Sequence, residues 1–199
     1  MREGLQSLLC SVGHKVKSFE SAEAFLEERV SRQPGCLILD VRLSGISGLQ
    51  LQKRLIANGD GIPTIFISAN GDIPMCAQAM KAGAVDFLPK PFREQEILET
   101  VQIALDRELV RHERDREVSK ALVNYRSLTR RERDIVKLVV TGQTNKKIAD
   151  ALGVSEVTVK IHRGHVMHKM GAASLADLVR IFDMTEPHLA SEAPKSSTN

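Results

Sequence analysis

The run Cys36-Leu37-Ile38-Leu39-Asp40 constrains this chain more than any other stretch. Pro34-Gly35 precedes it, and Gly45 and Gly48 follow within a few positions. A short apolar run bounded by turn residues reads as a strand buried on both faces, the pattern of a parallel sheet. Such a strand delivers Asp40 to the carboxyl edge of the sheet, where open α/β folds place their ligands and chemistry. An aspartate after a strand can equally do no more than cap the next helix. The residues that share its edge must distinguish the two.

Residues 1–92 alternate helix and strand patterns. Leu5, Leu8, Leu9 and Val12 mark a helix face that Gly13 closes. Lys15-Val16-Lys17-Ser18-Phe19 alternates as a strand does, and Ser21 caps a helix through Ala22, Phe25 and Leu26. After the Asp40 strand, Leu49, Leu51, Leu55 and Ile56 recur at helical spacing. Pro63-Thr64-Ile65-Phe66-Ile67-Ser68-Ala69 reads as a second buried strand. Asp72-Ile73-Pro74 opens a helix with Met75, Ala79 and Met80 that Gly83 ends, and a last strand covers residues 84–91. This alternation predicts a doubly wound parallel sheet.

Ser68 and Lys90 close strands as Asp40 does, so all three are expected at one sheet edge. A nucleophilic carboxylate flanked by a hydroxyl and an ammonium suits an aspartyl-phosphate site: the carboxylate attacks phosphorus and the others bind the phosphoryl oxygens. Singly, a turn serine and a solvated lysine are ordinary; their joint placement is not.

Residues 36–48, 63–69, 79–84 and the run Asp86-Phe87-Leu88-Pro89-Lys90-Pro91-Phe92 resemble the receiver domain of two-component response regulators of the FixJ/NarL type. The resemblance implies that Asp40 accepts a phosphoryl group from a sensor histidine kinase, that Ser68 and Lys90 sense it, and that Phe87 is an aromatic switch. It also implies a cis Lys90-Pro91 bond. Ser44 stands where the family usually has proline, with little expected effect.

Receivers also begin with an apolar strand ending in acidic residues that hold Mg2+. Here Met1 lies where the first helix starts, and Glu3 is the only early acid. The acidic pair is absent, which leaves Asp40 alone as a possible Mg2+ ligand. In the flavodoxin-like order 2-1-3-4-5 the first strand lies between the strands at residues 15–19 and 36–40. Burying its four or five apolar side chains contributes roughly 6–15 kcal/mol, against about 5–15 kcal/mol for a whole domain. A chain starting at Met1 is therefore expected to have a compromised receiver. The protein is expected to begin upstream, with a GTG codon read as Met1, which the in-frame DNA tests.

Residues 93–127 hold neither Gly nor Pro. Ile97, Val101 and Leu105 at four-residue steps can finish the receiver, whereas residues 111–117 are charged apart from His112 and read as a solvated linker helix. No sustained heptad supports a coiled coil.

Residues 128–183 read as four helices. Thr129-x-x-Glu132 is a capping box, Thr144 and Ser155 cap the next two helices, and Ser174 caps the last. The tight Gly153-Val154-Ser155 turn makes a helix-turn-helix signature. In the helix after Ser155, Val159, His162, Val166 and Met170 share the core face. Val157, Ile161, Gly164 and His168 share the opposite face, with Lys160 at its edge. Exposed Val and Ile beside Lys suit a DNA groove. Gly164 costs about 1 kcal/mol inside a helix, which a close backbone approach to DNA explains. A helix buried on both sides is the competing reading. His162, His165 and His168 spread over 120° of the helix without a supporting carboxylate or Cys, so a metal site is not expected.

Residues 128–132, 145–149 and 157–162 closely resemble the LuxR-type DNA-binding domain. That resemblance implies a recognition helix in the major groove of double-stranded DNA. Glu156, Thr158, Lys160, Ile161 and Gly164 then face DNA, and Asn145, Lys146 and Lys147 lie near phosphates. Gly164 replaces the long side chain many relatives carry.

Charge agrees: residues 128–185 carry ten Lys/Arg against six Asp/Glu, while residues 1–92 are nearly balanced. Three scattered cysteines argue against disulfides, and no apolar run spans a bilayer, so a cytoplasmic location is expected. The expected architecture is α/β plus all-α. A doubly wound flavodoxin-like receiver (1–110) lacks its first strand, and a linker helix (111–127) follows. A helix-turn-helix domain (128–184) and a disordered tail (185–199) complete it. The expected function is a transcription regulator rather than an enzyme. Phosphorylation drives homodimerisation and DNA binding, with RNA polymerase as a further partner. Phosphorylation-independent DNA binding is the alternative. A phosphohydrolase is the weaker rival, because Arg42 stands where an acid/base aspartate is needed.

Overall fold

The computed structural model describes residues 2–28, 34–43, 45–69 and 73–192, the last three by backbone alone. The readings made at Met1, Ser44 and Asp72, and the end of the tail, lie outside the described residues. The chain divides into two compact units, Met1–His112 and Glu113–Asn199.

In the first unit, helix α1 (Arg2–Ser11) and helix α2 (Ala22–Glu28) precede strand β1 (Leu37–Asp40). Helix α3 (Gly48–Ala57), strand β2 (Thr64–Ser68), helix α4 (Ile73–Lys81), strand β3 (Asp86–Pro89) and helix α5 (Glu94–Arg126) follow. The strands form one parallel sheet in the order β1-β2-β3. All five residues of β2 are buried, as its central position requires. Alternation sends Ile65 and Ile67 to one face with Leu9, Leu88, Ile97 and Val101. Phe66 goes to the other face with Phe25, Leu39, Leu51 and Phe87.

Residues 15–19 depart from their strand pattern and form no ladder. A strand is defined by its neighbour, and in the flavodoxin-like order this segment pairs only with the first strand. Among the described residues no strand lies between it and β1. A cleft of about 640 Å³ opens there instead, lined by Leu5, Leu9, Val16, Phe19, Ile38 and Val101, with Asp40 and Lys90 also on its wall.

Helix α5 runs unbroken for 33 residues, so the expected linker helix at 111–127 is its continuation. With no Gly or Pro, nothing in the sequence stops it. Its later part contributes Ala121 and Tyr125 to the core of the second unit.

That unit adds helices α6 (Arg130–Val140), α7 (Asn145–Leu152), α8 (Glu156–Met170) and α9 (Leu175–Glu192). Each cap lies where the sequence puts it. Thr129 and Glu132 form a reciprocal capping box, and the Thr144 and Ser155 hydroxyls accept from the third N–H of α7 and α8. Gly153 takes φ of 63°, which lets α7 end in a left-handed turn leading into α8. Ile135, Val136, Ile148, Val159, Val166 and Leu178 are fully buried between these helices.

Helix α9 corrects the expected disordered tail, continuing past Thr185 to Glu192 with Pro187 inside it. Proline removes one helical N–H, but the turn around it is anchored. Thr185 is buried and donates to the Phe182 carbonyl, and Leu189 packs on the core.

Candidate functional site

The sheet brings Asp40 and Lys90 together from strand ends 50 positions apart in sequence. Lys90 Nζ lies 2.6 Å from Asp40 Oδ2, with both side chains partly buried. Asp40 Oδ1 accepts the Arg42 N–H at 2.9 Å. One carboxylate oxygen is thus oriented by backbone and the other by an ammonium. Ser68, the last residue of β2, is fully buried, and its carbonyl accepts the Lys90 N–H at 2.7 Å. That bond ties the loop carrying Lys90 to β2. The Lys90–Pro91 bond is cis. Phe87 is buried on β3 with Phe66. Gly48 passes so close to β1 that a Cβ there would strike the Asp40 carbonyl oxygen, so only glycine lets α3 begin at that point. The Arg42 N–H is the contact that sequence reasoning missed here, although a turn after a strand-end aspartate is its ordinary signal.

The second cluster lies on α8. Val159, Val166 and Met170 are buried, whereas Val157 and Ile161 are 68% and 54% exposed. Glu156, Lys160 and Gly164 are exposed beside them, and a Cβ on Gly164 would meet nothing within 4 Å. Thr158 is half-buried, with its hydroxyl 2.8 Å from the Ser155 hydroxyl, so it serves the helix cap. Lys146 and Lys147 are exposed on the first turn of α7. Asn145 is half-buried and accepts from Arg163 Nη1 at 3.0 Å, which braces α7 against α8. Arg163 went unnoticed in the sequence; a charged residue beside the core face of a helix is the only hint.

The histidine pattern is corrected. His162 and His165 do converge on a carboxylate, that of Glu132 on α6, and ligating atoms of the three lie within 4.8 Å of one another. The carboxylate lies 30 positions upstream, where helical spacing within α8 cannot register it. His168 is not in the group. Burial alone would raise the Glu132 carboxyl. Hydrogen bonds from Lys169 and from the Thr129 backbone outweigh burial and hold it below its ordinary value of 4.5.

Comparisons with known proteins divide the chain in the same way. Residues 1–102 match the response regulator receiver domain, and residues 126–182 match the luxR family of bacterial regulatory proteins. Nodulation protein W of Bradyrhizobium diazoefficiens is 50% identical over 181 residues, covering 91% of this chain and 80% of the relative. The solved response regulator StyR is 46% identical with a TM-score of 0.81 over 92% of both chains. Full-length FixJ from B. japonicum is 35% identical with a TM-score of 0.55, covering 92% of this chain and 91% of that one.

Proposed function

This chain belongs to the response regulators of two-component systems, with a receiver domain followed by a LuxR-type DNA-binding domain, and from that premise we propose that Asp40 is its phosphoacceptor. The observation that carries this reading is the Lys90–Asp40 contact of 2.6 Å at the carboxyl edge of the sheet. In the proposed transfer a carboxylate oxygen of Asp40 attacks the phosphorus of a phosphohistidine on the sensor kinase. The P–N bond breaks and its electron pair returns to the imidazole. Lys90 then moves from the carboxylate to a phosphoryl oxygen, and the Ser68 hydroxyl donates to another. Because the Ser68 carbonyl holds the Lys90 backbone, a shift in either side chain reaches the loop beyond β3. Phe87 changes its packing in response. The receiver surface then favours a homodimer, a population shift biased by one charged group.

Receiver domains use Mg2+ for this transfer. Among the described residues Asp40 is in no cluster of metal-ligating side chains, and Lys90 occupies one of its oxygens. One lysine-bound carboxylate does not fit a Mg2+ site by itself, because that ion demands near-octahedral oxygen ligation. Because Lys90 already neutralises the Asp40 carboxylate, a second reading is that the chain binds DNA without phosphorylation.

In the output domain, α8 enters the major groove of double-stranded DNA. Val157 and Ile161 meet thymine methyls, and Glu156, Lys160 and the backbone at Gly164 face base edges or phosphates. Lys146, Lys147 and Asn145, with Thr158 at the cap, lie along the phosphate backbone. The dimer acts in the cytoplasm, where RNA polymerase is its next partner. Among the described residues no helix is long and apolar enough to cross a membrane. The test is to incubate the chain with acetyl phosphate and Mg2+ and weigh it. One added phosphoryl group that vanishes in Asp40→Asn supports the main reading; an unmodified chain that still binds DNA supports the second.

A further inference from the structure

We infer that Glu132, His162 and His165 form a binding site for a borderline divalent metal ion such as Zn2+, pinning α6 to α8 inside the DNA-binding domain. Ligating atoms of all three lie within 4.8 Å of one another. Two imidazoles and a carboxylate are a donor set that suits Zn2+, leaving a fourth position for water.

The carboxylate is divided between two tasks. Glu132 Oε2 accepts from the Thr129 N–H at 2.8 Å and from Lys169 Nζ at 2.7 Å. Oε1 is turned toward the histidines, 3.8 Å from His165 Nδ1. Glu132 is 3% exposed, so this oxygen is presented from a nearly dry setting. His162 supplies an independent sign. Its Nδ1 is buried and has no hydrogen-bond partner among the described residues, an expensive condition for a ring nitrogen beside a candidate ligand cluster. His165 is the mobile arm, with a side chain 61% exposed. Tetrahedral coordination at about 2.0–2.1 Å brings ligand atoms to roughly 3.3 Å apart. The exposed His165 ring is the ligand with room to turn toward the other two.

Lys169 opposes the ion, because its ammonium sits on the same carboxylate. Metal and lysine therefore compete electrostatically for Glu132 while using different oxygens. Because α8 carries the DNA-facing residues, an ion joining it to α6 would stiffen the recognition helix from behind without touching DNA.

The test is a Zn2+ titration of the untagged full chain by calorimetry, with melting followed in parallel. One ion per chain and a raised melting temperature of the DNA-binding domain are expected. His165→Ala is expected to weaken binding by at least about tenfold, the scale on which even outer-shell partners act. It should also cancel the melting shift while leaving melting without metal unchanged, since His165 is exposed. Equal binding in the wild type and His165→Ala would overturn the assignment. If His165→Ala melts differently without metal, Lys169→Met decides. Tighter Zn2+ binding upholds the site, and unchanged affinity refutes it.

Discussion

The two units of this protein solve the packing problem to different degrees. The helical unit closes: its capped helices surround Ile135, Val136, Ile148, Val159 and Val166, each at 1% exposure or less. The α/β unit packs both faces of β2 as fully, yet leaves the far edge of β1 facing an apolar cleft. Good packing at the centre of a sheet does not require a finished edge, because each strand's burial depends on its immediate neighbours. The two units therefore differ in that the edge of β1 borders a cleft, whereas the helices of the second unit surround their core.

The largest expected effect tests whether the open-edged unit still works. Asp40→Asn removes the proposed nucleophile and should abolish phosphoryl uptake, as read by mass. Next comes a paired truncation. Ile135→Ala, in the closed core, should cost about 2–5 kcal/mol. Leu5→Ala, on the cleft wall, should fall within roughly 0.5–1 kcal/mol, because little of its contact is dry. Calorimetry of both variants checks this, with two transitions and the 1–112 unit melting first. Equal costs would erase the contrast.

Acid should also test the closed core of the helical unit. The Glu132 carboxyl is lowered in the folded state, so its contribution is present above its ordinary value of 4.5 and is lost as pH falls through the lowered one. Stability of the helical unit should therefore decline on acidification below that value. Glu132→Gln should flatten the decline when melting is followed against pH. The smallest effect is expected from Lys160→Ala. It should weaken DNA binding across sequences and lower the salt slope by about 1, measured by titration at several salt concentrations.

Much of this was legible because it is local. Thr129 with Glu132, Thr144 and Ser155 act within one helical turn, and short apolar runs bounded by Gly or Pro fix β1, β2 and β3. Asp40 and Lys90 could be paired from sequence because parallel topology gathers strand ends at one edge. Residues 15–19 misled because alternation records a face to bury but not a neighbour to bond. The composition of residues 185–199 suggests disorder, although the burial of Thr185 and the packing of Leu189 carry α9 through Pro187. The Glu132 cluster was invisible because it depends on α6 meeting α8, a contact no periodicity within either helix encodes.

The bare surface around Gly164 has a consequence for how such a regulator can change. Among the described residues nothing lies within 4 Å of a Cβ added there. Alanine can therefore be introduced without repacking a neighbour, and it would firm up the helix. With α8 in the proposed major-groove position, selection at Gly164 would answer to DNA rather than to local packing. A single codon there would then be a route to a changed base preference at little cost to the fold.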